Sequence, residues 1–200
     1  FFEEISKFRA ARRMWARITK ERYGAKNPQA MLMRFHAQTL GSTLVRQSPK
    51  NNIIRGTTQA LSAVLGGTQS LHVSGYDEAY DIPSEDAMKV SLSTQLILGA
   101  ETGVAGTVDP LAGSFFVEHL TNELEEKAWA YIDKLENMGN GSILQGMFAA
   151  IDTGYIEQEI SQASYDYQKK LESGTYTVIG LNGYMEKQDE TIELYEHDPR

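Results

Sequence analysis

Seven polar side chains of the kinds that bind ligands or transfer protons fall in two short regions of this sequence. They are His36, Gln38, Gln69, His72, Asp77, Glu78 and Asp81. Imidazoles and carboxylates can move protons or hold a metal ion, and an amide can donate and accept hydrogen bonds at once. Their joint chemistry depends on whether the fold brings the two regions to one place.

Both regions are predicted to lie at the ends of neighbouring parallel strands. Met31–Gln38 has an apolar body and polar last residues, and Thr68–Val73 is a second short strand. An amphipathic helix over residues 51–65, capped by Asn51 or Asn52, connects them. Such a unit makes its two strands parallel and adjacent. The polar side chains are therefore expected at strand exits that open on the same side, where α/β barrels keep their chemistry.

Helical patterns flank this unit on both sides. Phe1–Tyr23 is amphipathic, and Pro83-Ser84 begins a helix whose apolar residues wrap so widely that it should be well buried. Val117–Asn137, with its leucines on the expected buried face, and Tyr155–Ser173 are two further helices, and a short helix lies between them.

Two parallel strands do not make a stable sheet alone, because a parallel sheet needs both faces covered. The fold class expected is therefore α/β, as the C-terminal portion of a (β/α)8 TIM barrel with a helical C-terminal extension. Residues 1–105 are assigned to the last βα units, 106–184 to the extension and 185–200 to an acidic tail or linker. The sequence does not begin with Met, so it is expected to be cut from a longer chain.

The composition limits the classes of partner and site that this chain can have. A net charge of −8 argues against nucleic acid, and no apolar run is long enough to span a membrane. The absence of cysteine excludes a disulfide framework and a thiolate metal site. Basic residues gather between Arg9 and Arg22, which indicates either a solvated helix face or a patch for an anionic cofactor tail.

Metal binding and acid–base hydrolysis are two chemistries open to the polar side chains. His36, His72, Asp77 and Glu78 are suitable metal ligands by type, although their spacing matches no metal motif. His36 with Glu78 could form an acid–base pair, but the sequence has no nucleophile-elbow or triad spacing.

Hydrogen bonding to a large polar cofactor is the third chemistry open to these side chains. Gln38 both donates and accepts, and the Glu78 carboxylate can accept from ribose hydroxyls. Gly41 would let a flat ring approach the backbone, although an ordinary turn glycine explains it as well. Ser70–Gly75 resembles the DxHxxG motif of cobalamin-binding domains but has Ser where the Asp belongs, so His72 is interpreted as a strand-end histidine rather than a cobalt ligand.

Several ordered motifs between Phe1 and Tyr184 resemble one family, the large catalytic chain of methylmalonyl-CoA mutase and its acyl-CoA mutase relatives. The motifs are FRAARRMWARI (Phe8–Ile18), RFHAQT (Arg34–Thr39), NNIIR (Asn51–Arg55), GGTQSLH (Gly66–His72), DEAYDIP (Asp77–Pro83), ETGVAGTVDPLAGSFFVE (Glu101–Glu118) and GYIEQEI (Gly154–Ile160).

The resemblance implies an adenosylcobalamin-dependent radical isomerase that interconverts methylmalonyl-CoA and succinyl-CoA. Isobutyryl-, ethylmalonyl- and 2-hydroxyisobutyryl-CoA are the alternative substrates within the family. His36 and Gln69 match polar positions near the substrate and its pantetheine arm. The groups that recognise the methylmalonyl carboxylate belong to earlier strands of the family, so no catalytic residue is assigned here.

For the cofactor, the resemblance implies that Gln38 and Glu78 contact the adenosyl ribose. Gly41 matches a backbone position against the corrin, and a further corrin contact falls on Asp81, where the family usually has a small residue.

A cobalamin-binding domain or small subunit is then expected as a partner within a homo- or hetero-oligomer, and this chain alone should not catalyse. The location implied is the cytoplasm of a prokaryote or the mitochondrial matrix. A non-catalytic assembly module, which docks a partner through the two long helices Val117–Asn137 and Tyr155–Ser173, is the alternative of a different class.

Overall fold

Two short parallel strands form the centre of the first part of the chain. This computed structural model describes residues 1–185. Strand β1 spans His36–Gln38 and pairs in parallel with β2, Ser70–His72, so that His36 lies opposite Ser70 and Gln38 opposite His72. The predicted parallel, adjacent pairing is confirmed.

Both strands are shorter than the sequence pattern predicts. Residues Pro28–Met31 form a turn of 3₁₀-helix instead of leading into the strand, and the Asn27 side chain accepts a hydrogen bond from Gln29 N (3.0 Å) at its start. This turn takes Met31 from the predicted strand, and residues 32–35 lie between the turn and the paired strand.

Six α-helices occur among residues 1–185, close to the predicted bounds. They are α1 (Phe2–Arg17), α2 (Pro49–Leu65), α3 (Glu85–Glu101), α4 (Phe115–Met138), α5 (Ile143–Asp152) and α6 (Tyr155–Glu172). A single π-helical turn, Ile18–Arg22, continues α1, and Gly24 follows at a φ of +63°. This left-handed conformation is the usual glycine stop after a helix.

The start of α3 is confirmed, whereas the cap of α2 is corrected. Ser84 Oγ accepts a hydrogen bond from Ala87 N (3.2 Å), as its sequence context predicts. Helix α2 begins earlier than expected, at Pro49, with no side-chain cap. Asn52 is thus inside the helix, only 2% exposed, and its amide is used elsewhere.

The expectation that α3 is well buried is wrong for the described residues. Its buried stripe is mostly small or polar, and it includes Leu98, which packs with Ala60 of α2 and with Val73. Leu92 and Leu96, on other faces of the helix, are 56% and 69% exposed. Helices α1 and α2, and α2 and α3, pack in pairs, so the described chain covers only part of the apolar surface of α3.

Ion pairs connect α1 to the start of α4. Arg9 Nε donates to Asp109 Oδ1 (3.1 Å) and its Nη2 to Glu118 Oε1 (2.7 Å), and the Arg9 side chain is only 11% exposed. Arg13 pairs with the buried Glu125. Both side chains pair with carboxylates, which argues against a patch for an anionic cofactor tail. Arg9 is mostly buried rather than solvated, whereas Arg13 remains 44% exposed.

The described residues divide into two compact units, Phe1–Glu125 and 126–185. In the second unit, Tyr131 Oη donates to Glu159 Oε2 (2.9 Å), and Lys134 Nζ lies 4.0 Å from the ring centre of Tyr155. Helix α6 has no buried residue. Of the predicted tail over 185–200, residues 186–200 lie outside the described residues. Among the described residues, no helix has the length and apolar character needed to cross a membrane.

The Arg9–Glu118 pair predicts an acid-sensitive contribution to stability. The hydrogen bond from Arg9 lowers the pKa of Glu118 below its ordinary 4.5. A carboxyl with a lowered folded-state pKa stabilises the fold above its unfolded pKa, and this stability is lost as the pH falls through the folded value. The Glu118→Gln variant should therefore have a lower thermal midpoint than wild type at about pH 7, and the gap should narrow below about pH 4.

The exposed Glu126 of α4 provides the control for that measurement, since Glu126→Gln changes the same formal charge. Its midpoint should follow that of wild type at each pH. The stabilising role of the pair would be contradicted if wild type and Glu118→Gln had the same thermal midpoint at neutral pH, or if their difference in midpoint grew in acid.

Candidate functional site

The two strands present one apolar face and one polar face. Leu71 packs beside the core of Ala60, Val73 and Leu98, and its register partner Ala37 is buried. Side chains alternate along a strand, so the remaining strand residues share the opposite face. These are His36, Gln38, Ser70 and His72, and of the four only His72 is partly covered.

His36 and Gln69 lie at the start of the strands, which corrects the prediction that both lie at the strand exits. His36 Nδ1 is 2.6 Å from Ser70 Oγ. Gln69 precedes β2, where its Oε1 accepts from Phe35 N (2.8 Å) and its Nε2 donates to Gly67 O (2.8 Å). The side-chain amide of Gln69 therefore hydrogen-bonds to backbone groups just before each strand and supports the start of the strand pair.

Two loops leave the strand ends together. The first exit loop is residues 39–48 and the second exit loop is residues 73–84. Ser74 N donates to Thr39 Oγ1 (2.8 Å) and Ser74 Oγ to Thr39 O (3.0 Å), and both residues are buried. These bonds extend the pairing of the strands into the loops, so Gln38 and the two loops share one edge.

Glu78 and Gly41 are in close contact across the two exit loops. A Cβ atom placed on Gly41 would be 2.8 Å from Glu78 Oε1, closer than non-bonded contacts allow. A side chain at position 41 would therefore push the Glu78 carboxylate out of its present position. The Glu78 side chain is half-buried and makes no hydrogen bond within residues 1–185, so its carboxylate can accept from a ligand.

The other two acids of the second exit loop have local contacts. Asp77 is 1% exposed, and its Oδ2 accepts from Ser84 N (2.8 Å), which closes the loop at the start of α3. Asp77 Oδ1 has no partner among the described residues. Asp81 is exposed and accepts from Ile82 N (2.8 Å), so its polar contact lies within its own turn.

Helix α2 supplies two site residues that the sequence patterns missed as such. Gln59 Oε1 accepts from Leu40 N (3.3 Å) and its Nε2 donates to Thr43 Oγ1 (2.7 Å). Asn52 bonds to the backbone of Val45 and Tyr76, one residue in each exit loop. The available signal was a pair of amides seven residues apart, which lie on one face of a helix.

Neither a metal site nor the hydrolytic pair is assembled among the described residues. No group of three His, Asp or Glu side chains there could hold a metal ion. His36 is bonded to Ser70 at the start of the strands, while Glu78 lies against Gly41 beyond their ends. The arrangement instead offers hydrogen-bonding groups along one strand face and above its exit.

The sequence matches the protein family described as methylmalonyl-CoA mutase over residues 1–200. The chain belongs to the methylmalonyl-CoA mutase family. RFHAQT contains β1, GGTQSLH contains β2, and DEAYDIP lies within the second exit loop. These three of the seven motifs that carried the resemblance thus lie in the segments that build the site.

Relatives of this family come from bacteria and mitochondria. The chain is 46% identical to the 2-hydroxyisobutanoyl-CoA mutase large subunit of Aquincola tertiaricarbonis, over 99% of this chain and 34% of that protein. It is 43% identical to the methylmalonyl-CoA mutase of Cereibacter sphaeroides (99% and 27%) and 36% identical to the mitochondrial methylmalonyl-CoA mutase of Homo sapiens (97% and 25%). The chain spans between a quarter and about a third of the length of these curated relatives.

Two glycines of the exit loops should respond differently to an added methyl group. In Gly41→Ala the new Cβ meets the movable end of Glu78, so the free energy of unfolding should fall by less than about 1 kcal/mol. In Gly75→Ala it meets the Pro83 ring (2.8 Å) and Asp77 Oδ1 (2.9 Å) at a buried position. Overpacking of that kind costs about 1–3 kcal/mol.

Thermal or urea unfolding of the two variants tests this contrast. Neither glycine has a positive φ, so each result reports on space and not on backbone strain. Equal losses would mean that Glu78 is held rigidly against Gly41, contrary to the expectation.

Proposed function

We propose that this chain forms the C-terminal part of the (β/α)8 barrel in an adenosylcobalamin-dependent acyl-CoA mutase. The polar face of the strand pair is the observation that carries the proposal. Barrel interiors are usually filled with bulky branched side chains, whereas His36, Gln38, Ser70 and His72 share the face turned away from the helices. Such a face suits a channel that holds a long polar ligand, as an acyl-CoA arm requires.

At the start of the strands, His36 and Gln69 are assigned to the substrate. The bond between His36 Nδ1 and Ser70 Oγ orients the ring and leaves Nε2 for the acyl or pantetheine groups. Gln69 uses one N–H for Gly67 O, so a second N–H remains for the ligand.

At the exit, the residues fit the cofactor. Gln38, which makes no side-chain hydrogen bond within residues 1–185, and the Glu78 carboxylate would bind the adenosyl ribose. Gly41 and the exposed Asp81 would lie against the corrin. Bound adenosylcobalamin would supply a cobalt–carbon bond that can break homolytically, which is the chemistry a carbon-skeleton rearrangement needs. The role of the protein residues is to bind and orient, and to keep water from the reacting carbon.

Methylmalonyl-CoA is the substrate we propose, with succinyl-CoA as product. Relatives named for methylmalonyl-CoA come from bacteria, a nematode and mammals. The 46% identity with a 2-hydroxyisobutanoyl-CoA mutase large subunit favours that acyl-CoA as the second candidate. Turnover of the two thioesters by the native protein, compared directly, separates them.

The proposal also requires partners. Two strands do not close a barrel, so further strands and a cobalamin-binding domain or small subunit must complete the enzyme. Two matched relatives are themselves named as large subunits. The chain would then be inactive by itself and active within a homo- or hetero-oligomer.

Glu78→Gln tests the proposed cofactor site. An amide in place of the carboxylate weakens hydrogen bonds from ribose hydroxyls, because bonds to charged acceptors are about twice as strong. The Kd for adenosylcobalamin should rise at least about tenfold in the native protein, isolated with its accompanying subunits. Size-exclusion chromatography should show unchanged assembly.

Glu101→Gln, at the exposed end of α3, is the matched control and should bind cofactor as wild type does. If Glu78→Gln binds adenosylcobalamin unchanged, the cofactor assignment is wrong. If it also disrupts the oligomer, the assembly-module alternative gains instead.

A further inference from the structure

The side chain of Asn52 lies between the two exit loops and uses its whole hydrogen-bonding capacity. Nδ2 donates to Val45 O (3.1 Å) and to Tyr76 O (2.9 Å). Oδ1 accepts from Val45 N (2.9 Å) and from Arg55 Nη1 (2.8 Å). Because Asn52 is only 2% exposed, water is not available to take the place of these partners. A neutral amide, with two donors and an acceptor, matches this set of groups.

The two backbone segments that Asn52 joins carry the proposed cofactor groups. Val45 lies in the first exit loop, four residues after Gly41, and Tyr76 lies two residues before Glu78. Loop backbone lacks the regular partners of a sheet, so its position depends on such bonds. The Glu78–Gly41 contact therefore depends on the distance that Asn52 sets between the loops.

Other links between the loops lie at their edges. Thr39 and Ser74 join them at the strand ends, and Tyr80 Oη donates to Arg46 O (2.6 Å) at an exposed place. Gln59 lies seven residues after Asn52 on the same face of α2. Its side-chain hydrogen bonds go to the first exit loop. Among the residues described, Asn52 is the helix side chain that bonds to both.

We propose that Asn52 is a positioning residue that holds Glu78 over Gly41 and thereby sets the affinity of the site for its ribose-bearing cofactor. This inference rests on the proposed function, since it assigns Asn52 a role through Glu78. A residue that only filled space between α2 and the loops would not need an amide with every donor and acceptor in use.

Asn52→Asp is the variant that tests this role. The introduced carboxylate has nearly the same shape and can still accept from Val45 N and Arg55, but it places an oxygen against two carbonyl oxygens. Asn51→Asp is the matched control, because it makes the same change in the same helical turn at a side chain with no hydrogen bond in the described chain.

The first readout is amide hydrogen exchange of the cofactor-free native protein, with its accompanying subunits. Asn52→Asp should accelerate exchange in both exit loops, including the Val45 amide, while Asn51→Asp should not. The second readout is the adenosylcobalamin Kd, measured well below the thermal midpoint. It should rise at least about tenfold for Asn52→Asp and stay within about twofold for Asn51→Asp.

A double variant shows whether Asn52 acts through Glu78. If it does, the Kd of the double variant Asn52→Asp/Glu78→Gln should be no more than about twofold above the Kd of the single variant that binds less tightly. Fully additive losses would overturn the inference, as would an unchanged Kd for Asn52→Asp while Glu78→Gln binds weakly. An unchanged Kd for Glu78→Gln itself would instead overturn the proposed function.

Asn52→Ser covers the case in which Asn52→Asp does not fold. The smaller hydroxyl keeps one donor and one acceptor at the same position and adds no charge. It should give the same pattern: faster amide exchange in both exit loops and an adenosylcobalamin Kd at least about threefold above that of wild type. Wild-type exchange and affinity in this variant would overturn the inference.

Discussion

The parallel register of β1 and β2 is the constraint on which the site depends. Because Gln38 lies opposite His72, the two strands end at the same level and both exit loops leave from one edge. The connecting helix α2 must return along the pair, which brings its amides beneath those loops. A register shift of one residue would turn His36 and Gln38 toward the helices and bury them without partners.

The two faces of the strand pair have opposite requirements. One face packs Leu71 against Ala60 and Leu98, which gives the unit its small core. The other face keeps four polar side chains away from that core, at no desolvation cost while water or a ligand lies there. The exposed leucines of α3 form an apolar surface of the kind that usually packs against other protein elements.

Buried polar groups, more than apolar packing, give the exit loops their shape. Asn52, Asp77 and the Thr39–Ser74 pair each supply partners for backbone that has no sheet ladder. Each bond is individually modest, but loss of one partner leaves a buried group unsatisfied, which is costly. The same principle joins α1 to α4, where the mostly buried Arg9 pairs with Glu118 and Arg13 pairs with the buried Glu125.

Much of the fold could be read from the sequence, because its local signals are strong. Apolar periodicity placed the helices, Ser84 marked the start of α3, and the helix between two short apolar runs implied a parallel pair. Strand length was wrong because it is set by backbone pairing with the partner strand, which apolar periodicity does not report. The ordered motifs identified the family and pointed to Gln38, Gly41 and Glu78 as site residues.

By itself, then, the sequence determined the family, the helices and the parallel strand pair, since these follow from local pattern and motif. Only the tertiary structure decided that Glu78 lies on Gly41, that Gln69 supports the strand start and that Asn52 joins two loops. It also decided that the basic face of α1 is paired with acids. The physical reason is that each of these contacts joins residues distant in the chain, and the hydrogen-bond or ion-pair partner of a polar side chain is set by the packing of whole elements.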